Sequence, residues 1–326
     1  MDAPVLVVDG LRKVFGSHVA VDDISFAVPA ESIYAVLGPN GAGKTTTINC
    51  CTTLLPADAG TIRVAGFDVG TQGAEVRRSI AVTGQFAALD DELTGTENLR
   101  LFARLLGLTK SDAATRATEL LDQFGLVEAA SRRVKTYSGG MRRRLDLAVS
   151  LITDPVVLFL DEPTTGLDPR SRAEVWQVVR GLRERGIAVL LTTQYLEEAD
   201  QLADRIAVID HGKLVVEGTA SELKDRIGGS VCVLTLADPE ATAPAEHLIT
   251  EVVGKPSAVD RETGTITVPA PDNAATLAAV LRAVDRADLA VADIGLRRPS
   301  LDDVFFALTR PSGSAGSVSA PVESAV

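Results

Sequence analysis

A glycine-rich loop, Gly38-Pro39-Asn40-Gly41-Ala42-Gly43-Lys44-Thr45-Thr46, follows the apolar run Ile33–Leu37 and opens a helical pattern that reaches Cys51. Its glycines let consecutive backbone N–H groups curl around a phosphate, and the N-terminus of the following helix adds about half a positive charge. Lys44 can reach the β- and γ-phosphates, and the Thr45 hydroxyl can ligate Mg²⁺. A chance glycine-rich turn needs neither the strand before it nor the helix after it, so this order predicts a nucleoside triphosphate site.

Two adjacent acids, Asp161 and Glu162, follow a second apolar run, Val156–Leu160. Carboxylates at the end of a buried strand are costly unless a cation or a water uses them. Asp161 suits the Mg²⁺ shell, and Glu162 suits a base that polarises the attacking water. A solvated strand end is the alternative. Together with the glycine-rich loop, the pair favours hydrolysis of the nucleotide over binding alone.

Short apolar runs alternate with helical patterns around this loop. Runs of about four residues without polar alternation fit strands that are buried on both faces of a parallel sheet covered by helices. These runs are Ile33–Leu37, Ile80–Val82, Val156–Leu160 and Ala188–Leu191. Three more runs near the start, Val5–Val8, Ile24–Val28 and Ile62–Val64, read as strands at a sheet edge. We therefore predict an α/β domain with a mixed sheet.

The strand signal stops between Gln85 and Thr136. A capping box, Thr94 to Glu97, opens a helix there, and a second amphipathic pattern follows from Ser111 to Phe124. We predict a helical insertion over about residues 86–136.

Gly228-Gly229 marks a domain boundary. We predict a first domain at residues 1–227, a small α+β domain of βαββαβ type at 230–310, and a disordered tail at 311–326, where Ser, Gly, Ala and Pro dominate.

The composition narrows the function classes. The chain has 326 residues, 46 % of them hydrophobic, and a net charge of −12, which disfavours nucleic acid as a partner. The two dense basic runs are Arg132-Arg133 and Arg142–Arg144, and the second is expected to form a solvated or domain-packing helix face. No 18 apolar residues run together and the N-terminus lacks a signal-peptide pattern, so we expect a soluble cytoplasmic protein. The three cysteines and the three histidines show no ligand spacing.

The segment Tyr137-Ser138-Gly139-Gly140-Met141, with Asp161-Glu162-Pro163 about twenty residues later, resembles the ATP-binding-cassette (ABC) ATPases. The resemblance implies an ABC ATPase fold for the first domain, ATP as the nucleotide and a head-to-tail homodimer. In that dimer Ser138, Gly139 and Gly140 of one chain face the ATP held by Lys44 of the other. The family also implies that Gln85 senses Mg²⁺ and the γ-phosphate, that Phe15 stacks on adenine, and that Asp168 lies in the loop crossing the interface.

Gln194 stands where the family usually carries a histidine switch. A glutamine amide can donate a hydrogen bond to the γ-phosphate but cannot become cationic, so we expect slower turnover. A surface amide without a role is the alternative. Gln194 followed by Glu-Glu-Ala-Asp200, and the ending Arg298–Phe305, resemble the daunorubicin-resistance-type drug-export ATPases.

These patterns and resemblances lead us to expect an ATP-hydrolysing subunit at the cytoplasmic face of the membrane. It would power export of a hydrophobic small molecule through a separate polytopic permease, by closure of a dimer on ATP. The segment Phe86–Glu92 and the helices after it are the expected docking surface. The alternatives are a soluble ABC ATPase of translation or DNA maintenance, and the ATPase of an importer or lipid exporter with the same ATP-hydrolysing domain. A nucleotide kinase explains neither Ser138-Gly-Gly140 nor Asp168.

Overall fold

The structure, a computed structural model, describes residues 3–84, 89–227, 230–297 and 300–301. The chain divides into two compact units, and the division falls between Ala220 and Ser221. Gln85, the predicted docking residues 86–88, most of the ending Arg298–Phe305 and the predicted tail 311–326 lie outside the described residues. No helix of the described part of the chain is long and apolar enough to cross a membrane.

A six-stranded sheet forms the centre of the first unit. Its strands are β3 (Ile33–Leu37), β6 (Ile80–Thr83), β7 (Val157–Asp161), β8 (Ala188–Thr193), β9 (Arg205–Asp210) and β10 (Lys213–Gly218). Their order is β10-β9-β3-β8-β7-β6; five strands run parallel and β10 pairs antiparallel with β9. Every residue of β3, β7 and β8 is buried, which is the two-sided burial that their unalternating apolar runs predict. The predicted mixed sheet is confirmed.

A second, antiparallel sheet has the order β2-β1-β4-β5. It consists of β1 (Leu6–Phe15), β2 (His18–Val28), β4 (Ala59–Val64) and β5 (Phe67–Asp68). The sequence predicted only the ends of β1 and β2 that lie far from their connecting turn. The missing halves pair through three shifts of register between Val8 and Val14, and such bulges break the alternation by which a strand is recognised. The longer hairpin brings Phe15 opposite His18.

Helices cover the central sheet and form the predicted insertion. They are α1 (Lys44–Cys51), α2 (Gly73–Ser79), α3 (Gly95–Leu105), α4 (Lys110–Gln123), α5 (Gly139–Ser150), α6 (Pro169–Glu184) and α7 (Leu196–Leu202). A further helix, α8 (Ala220–Ile227), begins at the division between the two units. The capping box that opens α3 is present: Thr94 Oγ1 accepts from Glu97 N at 3.2 Å, and Glu97 Oε2 accepts from Thr94 N at 2.8 Å. The described residues 89–136 contain no strand, apart from one isolated bridge between Thr94 and Arg133.

The second unit contains an antiparallel sheet with two helices. Its elements are β11 (Val231–Leu236), α9 (Thr242–Val253), β12 (Ala258–Asp260), β13 (Thr265–Pro269), α10 (Ala274–Arg286) and β14 (Val291–Arg297). The element order is βαββαβ, and the sheet order is β12-β13-β11-β14. Alternate residues of β11 and β13 are buried in one core with Ala245, Ile249 and Val280 of the helices. The predicted α+β class is confirmed.

Candidate functional site

The glycine-rich loop joins β3 to α1, where its backbone lies against other strands. A Cβ atom on Gly38 would lie 2.3 Å from Ile209 O, and one on Gly43 would lie 2.4 Å from Ala20 O. Gly43 also has a φ of 101°, in the left-handed region that side chains disfavour. Glycine is therefore required at both positions by close approach, and the loop can leave its amide groups at the N-terminus of α1.

Lys44, the first residue of α1, is buried with only 4 % of its surface exposed. Its ammonium group donates to the carbonyl oxygens of Gly38 at 2.8 Å and Pro39 at 3.0 Å. The same nitrogen lies 3.3 Å from Glu162 Oε1, and the Glu162 side chain is 9 % exposed. The Glu162 carboxylate thus neutralises this buried cation, and the two carbonyl oxygens hold it at the loop, in the position from which it can reach phosphate oxygens.

Thr45 and Asp161 bring oxygen atoms together beside Lys44. The Thr45 hydroxyl donates to both oxygens of Asp161, at 3.1 and 2.9 Å, and Thr192 Oγ1 donates to Asp161 Oδ1 at 2.6 Å. Hydroxyl and carboxylate oxygens are the hard ligands that Mg²⁺ prefers, and few protein ligands suffice because Mg²⁺ keeps water and substrate phosphates in its shell. Among the described residues no cluster of three or more His, Cys, Asp or Glu could hold a metal by itself. This donor set fits Mg²⁺ bound with a nucleotide.

Glu162 follows β7 directly and has an unusual backbone. Its φ of 48° lies in the left-handed region, which costs a residue with a side chain about 1 kcal/mol or more. Its N–H donates to both the carbonyl and the hydroxyl oxygen of Thr192, each at 3.1 Å, and its Oε2 accepts from Thr165 at 3.2 Å. The turn carries the Glu162 side chain to Lys44, whereas Asp161 meets Thr45.

A cleft of about 360 Å³ lies over these groups. Its lining is formed by the loop and the start of α1, by Glu162, and by the end of the β1–β2 hairpin; the residues are Phe15, His18, Ala20, Asn40, Gly41, Gly43, Lys44, Thr45, Thr46 and Glu162. Phe15 is 46 % exposed, and Lys13 Nζ lies 5.5 Å from its ring centroid. An exposed ring at the cleft can stack on a flat base. His18, which lines the same cleft, showed no pattern in the sequence because it enters through the bulged hairpin.

Ser138 and Asp168 begin two neighbouring helices. Ser138 Oγ accepts from Met141 N at 3.2 Å as the cap of α5, and Asp168 caps α6 by accepting from both the N–H and the hydroxyl of Ser171, at 2.9 and 2.8 Å. These hydrogen bonds lower the pKa of the Asp168 carboxyl, the backbone one most. A Cβ on Gly140 would lie 2.6 Å from Ser171 Oγ, so the two helix starts are packed together.

The structure therefore separates the predicted site residues into two groups. The predicted residues that line the cleft are Phe15, Asn40, Gly41, Gly43, Lys44, Thr45, Thr46 and Glu162. The described ones that do not line it are Gly38, Pro39, Ala42, Ser138, Gly139, Gly140, Asp161, Asp168 and Gln194, although Asp161 contacts Thr45. Gln194 is half-buried in the turn after β8, next to Thr193, whose hydroxyl accepts from Tyr195 N at 2.9 Å. Gln85 lies outside the described residues.

The basic run at residues 142–144 packs within the first unit. Arg142 pairs with Asp91 at 3.0 Å, and Arg144 donates to Phe124 O at 3.1 Å and pairs with Glu174. Arg143 is buried and donates to Pro163 O and Gly84 O, both at 2.8 Å. The predicted packing face is confirmed.

Comparison with known proteins gives matches in both units. A family model described as "ABC transporter" matches residues 21–165, and one described as "ATP-binding protein DrrA1-3-like, C-terminal domain" matches residues 218–309. The chain is 52 % identical over 313 residues to the doxorubicin resistance ATP-binding protein DrrA of Mycobacterium tuberculosis (strain ATCC 25618 / H37Rv), covering 94 % of each chain. It is 52 % identical over 300 residues to the daunorubicin/doxorubicin resistance ATP-binding protein DrrA of Streptomyces peucetius, covering 92 % of this chain and 91 % of that one.

A more distant relative and two solved structures that are similar to the chain are ATP-binding proteins as well. The linearmycin resistance ATP-binding protein LnrL of Bacillus subtilis (strain 168) is 39 % identical over 229 residues, covering 70 % of this chain and 74 % of its own. The solved ATP-binding subunit of an ABC transporter superposes with a TM-score of 0.61 at 27 % identity, covering 68 % of this chain and 93 % of that one. An ATP-binding cassette of an ABC transporter in its ADP conformation superposes with a TM-score of 0.62 at 26 % identity. The match covers 68 % of this chain and 92 % of that one.

Proposed function

Because the chain belongs to the ATP-binding subunits of ABC transporters, in the group of the daunorubicin and doxorubicin resistance proteins, we propose that it energises export of a hydrophobic small molecule through a separate permease. The observation that carries this proposal is the 52 % identity to a doxorubicin resistance subunit over 94 % of the chain, which includes the second unit. The relatives described above are resistance subunits, so a soluble ATPase of translation or DNA maintenance gains no support.

ATP would bind in the cleft, with its phosphates on the amide groups of the loop 38–46 and its adenine on Phe15. Lys44 would exchange contacts with Glu162 and two carbonyl oxygens for contacts with phosphate oxygens. Thr45 and Asp161 are the residues that would hold Mg²⁺, which supplies charge neutralisation of the phosphates when it is bound. The hydrogen bonds that now join the Thr45 hydroxyl to Asp161 support this assignment, because they place both ligands side by side.

Hydrolysis would depend on Glu162 as the base that polarises the attacking water. Its carboxylate reaches the cleft only because the backbone turns at φ 48°, and it sits beside the lysine that would bind the phosphates. Gln194, in the turn after the neighbouring strand β8, would donate its amide hydrogen to the γ-phosphate. Gln85 would sense Mg²⁺ and the γ-phosphate, as the family resemblance implies.

A second copy of the chain would complete the site. Ser138, Gly139 and Gly140 form the N-terminus of the twelve-residue helix α5, whose amide groups and dipole favour an anion. They pack beside Ser171 in the first turn of α6, and the family resemblance implies that they face the ATP of a partner chain. Closure of two chains would exclude water and place these dipoles opposite Lys44, where they act most strongly on the charge of the transition state.

The permease would dock on the helical insertion, at the cytoplasmic face of the membrane. The end of α3 exposes apolar side chains that no core uses: Leu101 is 42 %, Leu105 72 % and Leu106 52 % exposed. Exposed apolar residues that cluster in this way are typical of interaction surfaces.

Co-purification tests the proposal directly. The E162Q variant, which should retain ATP without turnover, would be isolated with ATP from gently solubilised native membranes, beside an E197Q control. Recovery of a polytopic membrane protein in near-equal amount with E162Q supports the proposal. Recovery of ribosomes, nucleic acid or no partner would overturn it in favour of a soluble ATPase.

A further inference from the structure

Arg143 lies at the meeting point of three segments of the first unit. It belongs to α5, the helix that Ser138 caps, and only 9 % of its surface is exposed. Its Nε donates to Pro163 O at 2.8 Å, and its Nη1 donates to Gly84 O at 2.8 Å and to Asp146 Oδ2 at 3.1 Å. Pro163 follows Glu162 in the chain, and Gly84 precedes Gln85. One guanidinium group thus holds the residues next to two predicted site residues.

Glu198 contacts Thr164, the residue that follows Pro163 in the loop after Glu162. It belongs to α7, four residues after Gln194, and is fully buried. Its Oε1 accepts from the Thr164 hydroxyl at 2.8 Å and from Trp176 Nε1 at 3.0 Å. Burial raises the pKa of this carboxyl, and the donors around it together with the charge of Arg143 oppose the rise.

Arg143 also has one polar atom without a partner. Within the described part of the chain, its Nη2 is buried and makes no hydrogen bond. An unpartnered polar atom in a core is costly, and buried charges are tolerated where their neighbours need them. A purely structural core would be better filled by apolar side chains of the same size. In the described chain Arg144 Nε is buried without a partner as well, so the feature that distinguishes Arg143 and Glu198 is their contact with the two residues after Glu162.

We propose that Arg143 and Glu198 are positioning residues for hydrolysis, which together hold the two residues after Glu162. Arg143 fixes the carbonyl of Pro163, and Glu198 fixes the hydroxyl of Thr164. These restraints keep the strained turn at Glu162 in the one conformation that aims its carboxylate into the cleft. They also connect that turn to the helix of Ser138 and to the helix that follows Gln194. The inference rests on the proposed ATPase function and deepens it.

The test compares R143K and E198Q with a matched control, R144K, in the full-length chain. Lysine keeps the charge at residue 143 but cannot reach Pro163 and Gly84 in the fork that arginine provides. Arg144 is the next residue of the same helix and contacts Phe124 and Glu174 instead of the loop after Glu162. Phosphate release at increasing ATP concentrations gives kcat and KM for each variant.

We expect R143K and E198Q each to lower kcat by about tenfold or more, because small displacements of a catalytic group cost one to two orders of magnitude. KM should stay within about threefold of the wild type, and R144K should stay within about twofold in both constants. The double variant R143K/E198Q should lose far less than the product of the two single losses, because both residues hold one loop.

Far-ultraviolet circular dichroism and urea unfolding show whether each variant is folded before its kinetics are interpreted. The emission of Trp176, the only tryptophan of the chain, serves this purpose for R143K alone, because Trp176 donates to Glu198 and E198Q changes its acceptor directly. If R143K does not fold, the kcat of E198Q, in which the side chain keeps its shape, still tests the proposal. Unchanged kcat in folded variants, an equal loss in R144K, or losses that multiply in the double variant would each overturn the inference. Failure of the proposed function has a different signature, because the wild type and R144K would then be inactive too.

Discussion

The buried contact between Lys44 and Glu162 predicts that E162Q binds ATP more tightly than the wild type. Lys44 Nζ lies 3.3 Å from Glu162 Oε1, and both side chains are almost fully buried. At an effective dielectric constant of about 20, this separation corresponds to a gross attraction of about 5 kcal/mol, much of which desolvation of the two groups offsets. Glutamine keeps a hydrogen-bond acceptor but loses the charge, so Lys44 becomes easier to transfer to phosphate oxygens.

A net loss of about 1.4 kcal/mol from the nucleotide-free state corresponds to about tenfold tighter ATP binding. Because glutamine cannot act as a base, kcat should fall by about 100-fold or more. Titration with a fluorescent ATP analogue measures the affinity, and phosphate release measures the rate. The control is E197Q, which makes the same change of charge at an exposed residue that pairs with Arg172 at 3.7 Å. Affinity of E162Q within twofold of the wild type, or an equal gain in E197Q, would refute the reasoning.

Four further perturbations have defined outcomes. Gln194→Ala should slow phosphate release while ATP still binds, and an unchanged rate would leave Gln194 a surface amide. Phe15→Ala should weaken nucleotide affinity about fivefold through lost stacking, as titration would show. Gly140→Ala places a Cβ 2.6 Å from Ser171 Oγ and should cost about 1–3 kcal/mol in urea unfolding, which S171G should partly restore. Burial raises the pKa of the Cys50 thiol to about 11, so between its ordinary value of 9.0 and about 11 only the unfolded chain releases this proton. Cys50 alone should therefore make stability fall with rising pH by up to about 1.4 kcal/mol per unit in that range, and the slope for C50A should be shallower by that amount.

The chemistry of the first unit was predictable because it depends on local patterns. The loop 38–46, the two acids at the end of β7 and the strand limits Ile33–Leu37 all follow from residues close together in the chain. The hairpin of β1 and β2 was only half predictable, since its bulges interrupt the alternation of buried and exposed residues. Local patterns fail where the partner strand sets the register.

The sequence also does not show which charged side chains are buried, and two adjacent glutamates show why. Glu197 is 68 % exposed in its side chain and pairs with Arg172, whereas Glu198 is fully buried. Both residues occupy a short helix, and their chemistry is identical. Only the packing of α7 against α6, with Trp176 and Thr164 as donors, determines which carboxylate turns inward.

The same reasoning explains how two neighbouring acids obtain different roles. Asp161 is the last residue of β7, and its oxygens accept from the hydroxyls of Thr45 and Thr192. Had the strand continued with ordinary geometry, the next side chain would have pointed to the opposite face of the sheet. The left-handed turn at Glu162 instead brings its carboxylate to Lys44, on the side of the cleft. The cost of that turn explains why the residues after it need firm support, which is the task that Arg143 and Glu198 perform in our proposal.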